Sequence, residues 1–177
     1  MATTCKLIAK TVLASDTATI TFGSGGTLPQ AYTDLLLVIS GRSSSSAADL
    51  TVGQADFVYM NLNGSNQSSV RYLYGTGSAT GSATSPTRGL AFLTDPACTA
   101  NTFASIEIVI SNYTGTTAKS VSAVSVTENN ATAATMATFA ALYSGVTSAV
   151  TSIDLTTEDA ANFKSGSSFF LYGITKA

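Results

Sequence analysis

The sequence predicts an all-β chain, an antiparallel two-sheet β-sandwich with the jelly roll as one candidate topology, and three observations lead there. Short runs of β-branched and aromatic residues recur every 12 to 20 positions between clusters of Gly, Ser, Thr, Asn and Pro, a spacing that suits a sandwich rather than β-α-β units. Several runs alternate with a period of two, as half-buried strands do. Helical signals are confined to one short stretch. At 177 residues the chain fits a single domain spanning residues 1–177, and a domain of this size hides roughly 70% of its unfolded surface without disulfide staples.

The strands follow in order. Residues 6–13 read as a strand within a segment, 1–14, that is also a candidate N-terminal arm. Residues 18–22 alternate, with Ala18, Ile20 and Phe22 opposing Thr17, Thr19 and Thr21. "GSGG" after Phe22 lacks any phosphate-loop Lys or following helix and reads as a turn. Residues 34–42 do not alternate: Leu35, Leu36, Leu37, Val38 and Ile39 are apolar without a break, so this strand needs cover on both faces. Residues 56–62, 70–74 and 89–93 are further short strands. Between the last two, residues 76–89 repeat Gly-Ser-Ala-Thr without apolar anchors and read as a flexible loop or arm. In residues 105–111, Ile106, Ile108 and Ile110 face one way and Ser105, Glu107 and Val109 the other. Residues 120–127, 136–143 and 149–155 follow, the second because Phe139, Ala141 and Tyr143 alternate despite the local Ala content. "TTEDAANFKSG" supports one or two helical turns at most, with Thr157 as cap, Glu158 and Asp159 in the first turn and Gly166 as stop. Residues 167–174 close the chain as a second strand apolar on both faces, through Phe169, Phe170, Leu171, Tyr172 and Ile174.

Composition narrows function. Charged residues make up 10% of the chain, well below the roughly 25% of ordinary domains, so solubility rests on hydroxyls. A net charge of −2 with scattered Lys and Arg disfavours nucleic acid. Apolar runs of about five residues are too short to span a bilayer, and residues 1–13, with Lys6 and Lys10, lack a signal-peptide core. Without His, and with Cys5 and Cys98 far apart, neither a zinc site nor a Cys–His nucleophile is expected; the two thiols read as buried and inert, and no cofactor is expected.

Catalysis finds little footing. The adjacent acids Glu158 and Asp159 are explained by a helix's first turn. A glycan hydrolase would need Asp56 and Glu107 to meet across strands. Among seven tyrosines, Asn112 with Tyr113 forms the candidate exposed contact pair, suited to a fibre or receptor-binding module that meets host glycan. Arg42, directly after the two-faced strand, is placed to hold a partner's carboxylate or carbonyl.

"LPQAYTDLLLVISGRSS", "VRYLYGTGS", "IEIVISNYTG" and "VTSIDLTTEDAANFKSGSSFFLYGI" taken together resemble structural proteins of tailed bacteriophages, especially marine and cyanobacterial phages. The resemblance implies a non-enzymatic virion protein, a capsid decoration or cement protein or else a tail or fibre component. Its place would be the outer capsid surface, after assembly in the bacterial cytoplasm. The implied partners are the major capsid protein and copies of the chain itself, as a trimer. Tyr32, Leu35, Leu37, Ile39, Arg42, Phe170 and Tyr172 are the expected oligomer or lattice contacts.

Overall fold

The computed structural model describes residues 4–25, 27–45, 55–85, 89–128 and 133–175. Among the described residues, twelve strands form two antiparallel sheets: β1 Cys5–Val12, β2 Ile20–Phe22, β3 Asp34–Gly41, β4 Ala55–Leu62, β5 Ser69–Gly75, β6 Thr80–Ser85, β7 Ala91–Thr94, β8 Ala104–Ile110, β9 Lys119–Glu128, β10 Ala134–Tyr143, β11 Ile153–Thr157 and β12 Ser168–Ile174. The larger sheet has the order β1-β12-β3-β8-β9-β10-β5-β6 and the smaller β2-β11-β4-β7. This is a two-sheet sandwich of eight and four strands, against the eight in total of a plain jelly roll. The one helical element among the described residues is a 3-10 turn, Glu158–Ala160, in which Asp159 and Ala160 both have positive φ. Thr157 precedes it without a side-chain cap; its hydroxyl donates instead to the Ala161 carbonyl at 2.6 Å.

The core lies between the sheets. The inward set of β3 is Leu35, Leu37 and Ile39, each at most 1% exposed, in register with Ile110, Ile108 and Ile106 of β8 and with Leu171 and Phe169 of β12. Towards β5 and β6 the filling is aromatic, where Phe57, Tyr72, Phe92 and Phe139 pack at ring separations of 5.0 to 6.2 Å. Tyr143 crosses from β10 to donate to the Met60 carbonyl of β4 at 2.7 Å, tying one sheet to the other.

The expected strand over residues 6–13 is present as β1, whereas the expected loop or arm over residues 76–89 contains a strand, β6. Residues 5–12 pair with β12, and residues 80–85, within the supposed loop, pair with β5 from Val70↔Ser85 to Gly75↔Thr80. For β6 the neighbour decides: a Ser/Thr/Gly/Ala run has little strand preference of its own, yet a hydrogen-bonding ladder is available to it, and Tyr74 lies across Gly81.

Candidate interaction face

The outward side of the eight-stranded sheet is built in transverse rows by strand register. One row runs Lys10, Phe170, Val38, Glu107, Val124, Thr138, Leu73, Ser82. The row on one side runs Leu7, Tyr172, Leu36, Val109, Ser122, Ala140, Arg71, Thr84, and that on the other Val12, Ser168, Ser40, Ser105, Val126, Met136, Gly75, Thr80. Among the described residues, the large hydrophobic side chains left exposed are Leu7, Val12, Leu73, Val124, Val126, Met136 and Leu142, from 40% to 62%. All seven belong to this one face. The opposite side of the molecule is polar: Thr21 donates to Asp154 at 2.6 Å, Asn61 lies opposite Asp154, and the Tyr59 hydroxyl donates to Glu158 at 3.3 Å.

In β9 the usual polarity of a sandwich strand is inverted along part of its length. Val121 and Ala123 point inward, but so do Ser125 and Thr127, while Val124 and Val126 point to solvent. The ladders to β8 and β10 run through this change without a register shift, so no bulge explains it. β10 repeats the pattern opposite, with Thr135 inside and Met136 outside. Ser125 accepts the Phe92 amide at 3.0 Å, whereas the buried hydroxyls of Thr127 and Thr135 have no hydrogen-bond partner among the described residues. A lone domain would be more stable with valines inside and hydroxyls outside.

The structure redistributes the residues expected to make contacts. Leu35, Leu37 and Ile39 are the core set of β3, closed off by their own chain, and the outward pair is Leu36 and Val38. These two are half-buried beside Tyr172, Phe170 and Val109 of the flanking strands. Of the expected contacts, Phe170 and Tyr172 lie on the outer face. Tyr32 instead covers Gly173 on the inward side, where a Cβ would meet the Tyr32 ring at 2.3 Å.

Arg42 is 9% exposed and donates to the carbonyls of Thr99 at 2.8 Å, Thr102 at 3.0 Å and Cys98 at 3.4 Å. It therefore holds its own chain's loop, the intrachain role being favoured because those carbonyls have no strand partner. Glu128 grips the same loop through the Thr99 amide at 2.6 Å and the Thr99 and Thr102 hydroxyls. Of the Asn112–Tyr113 pair, Asn112 is exposed in left-handed backbone, but Tyr113 is fully buried and its hydroxyl donates to the Pro29 carbonyl. An apolar ring with a carbonyl in reach is more stable inside, so the glycan contact pair is lost.

Asp56 and Glu107 do not meet: Asp56 is fully buried on the smaller sheet and Glu107 stands on the outer face of the larger. Burial pushes the Asp56 carboxyl up to about 7, helped by the charge of Glu158 and opposed by the Ser43 hydroxyl and the Phe57 amide, which donates at 2.7 Å. Asp95 is raised by burial as well. Cys98 is buried, its thiol pushed up to about 11 by desolvation, which suits an inert thiol. Cys5, expected to be buried, is exposed near the start of an edge strand. Lys119 is buried with its ammonium donating to the Gly115, Thr117 and Val146 carbonyls at 2.7, 2.5 and 3.4 Å, and desolvation lowers its pKa. Among the described residues no group of three or more Cys, Asp or Glu side chains is placed to hold a metal ion, and no helix is long and apolar enough to cross a membrane.

Comparison with protein-family models, with curated proteins and with solved structures finds no match for this chain.

Proposed function

We propose that this chain is a non-enzymatic structural protein of a phage virion, a capsid decoration or cement protein that lays the outer face of its eight-stranded sheet on the major capsid lattice. The phage assignment is carried by the sequence resemblance. The docking surface is carried by one observation, the inverted stretch of β9 and β10, where Val124, Val126 and Met136 face solvent while Ser125, Thr127 and Thr135 occupy the interior. Such a pattern stabilises an assembly at the expense of the isolated fold.

The dimensions suit the role. Eight strands at about 4.8 Å spacing and three rows of side chains give a face on the order of 700 Å2, close to the roughly 800 Å2 per partner of a standard interface. With about half of that area apolar, burial yields on the order of 10 kcal/mol, comparable to the 4 to 15 kcal/mol that association costs. A single copy would therefore bind weakly, and linkage of copies into one multivalent unit would supply the avidity.

Quantitative mass spectrometry of purified virions tests the reading. Decoration predicts hundreds of copies per particle, and a few to tens would assign the chain to a tail or fibre instead. Absence from the virion would end the proposal.

A further inference from the structure

Among the described residues the two sheets have four edges, and three of them are closed to further pairing. β2 has only three residues, Ile20–Phe22, too short to template a partner. β7 is fully buried, and beyond it the Ser43 amide donates to the Thr94 carbonyl at 2.7 Å. β1 carries exposed Lys6 and Lys10, and its ladder is broken by a register shift between Leu7 and Ala9. Lysines and bulges are the usual means by which natural sheets prevent edge-to-edge association. β6, Thr80–Ser85, has neither: its sequence TGSATS contains no charge and no proline, and its ladder to β5 runs unbroken over six residue pairs. Tyr74 lies across Gly81, where a Cβ would come within 2.6 Å of the ring hydroxyl, a covering that keeps this glycine-containing edge in the plane of the sheet.

We propose that β6 is the site of self-association, pairing antiparallel with β6 of a second copy across a two-fold axis perpendicular to the sheet. A two-fold sets the strand against its own copy, residue i facing j and j facing i, so a charge near the axis is brought beside its like; β6 is the long edge that carries none. Small side chains let the two backbones approach along the whole strand. The pairing joins two eight-stranded sheets into one of sixteen, with both apolar outer faces turned the same way. The order is two, in place of the three expected from the sequence, and the inference does not depend on what the outer face docks against.

Sedimentation equilibrium of the full chain at tens of micromolar tests this, with the double variant Thr80→Lys/Ser82→Lys beside it. Both positions are exposed and face Gly75 and Leu73 across the ladder, so neither lysine stands directly opposite a cation within the chain. The wild type is expected at twice the chain mass of 18.0 kDa, and the variant at that mass with at least a tenfold weaker self-association. Hydrogen exchange of the wild type gives a second reading, in which amides of residues 80–85 gain protection on concentration while those of residues 5–12 do not. A monomeric or trimeric wild type, a dimer indifferent to the lysines, or protection arising at residues 5–12 instead would each overturn the proposal. A monomer that still binds capsids would leave the docking reading standing.

Discussion

Replacing Asp56 by Asn should remove a pH dependence that this one carboxyl imposes on folding. The group is fully buried, and its pKa rises from the ordinary carboxyl value of 3.8 to about 7 in the fold. A raised carboxyl pKa means that the unfolded chain ionises first, so the native state loses relative stability as pH climbs from 3.8 towards 7 and the deficit is constant above that. At about 1.4 kcal/mol per pH unit, the deficit totals about 4 kcal/mol, of which about 3 kcal/mol develops between pH 5 and pH 8. Asn keeps an acceptor for the Phe57 amide and carries no charge. Urea denaturation of both proteins at pH 5 and pH 8 reads the difference directly, and subtraction cancels the contribution of Asp95, which is raised in the same direction. Asp56→Asn should gain about 3 kcal/mol on the wild type between the two pH values. Parallel pH profiles, or a wild type that gains on the variant as pH rises, would refute the reasoning.

Other substitutions separate core from surface. Tyr143→Phe removes the 2.7 Å bond that ties the sheets and strands the Met60 carbonyl, at a cost of about 1 to 2 kcal/mol in urea. Arg42→Met takes the donor from three loop carbonyls and should cost about 3 kcal/mol in the same assay, with the sedimentation mass of the folded protein unchanged. Leu37→Ala should cost about 2 to 5 kcal/mol, and Leu37→Asp should unfold the chain rather than dissociate it, because the side chain is wholly internal. Val124→Lys, on the outer face, should leave the unfolding free energy in urea within about 0.5 kcal/mol of wild type.

The fold was legible wherever one residue type dominated one face. Ile106, Ile108 and Ile110 announce both strand and inward side, as do Phe139, Ala141 and Tyr143. The parity of β3 was not legible, because Leu36 and Val38 are as apolar as Leu35 and Leu37; it is set by register with β8 and β12. β6 is not legible in the sequence, since its residues owe their strand to β5 rather than to any pattern of their own. The inverted stretch of β9 did leave a trace: "KSVSAVSVTE" places its valines and Ala123 first at odd and then at even positions. Its meaning needed the ladder, which excludes the bulge that such a switch otherwise suggests.

The most direct test is co-sedimentation of the folded chain with capsids stripped of it, comparing the wild type with Val124→Lys/Val126→Lys. Saturable binding by the wild type, with none by the variant at the same concentration, is the outcome predicted. Equal binding by the two would contradict the assignment of the outer face of the eight-stranded sheet as the surface that meets the lattice.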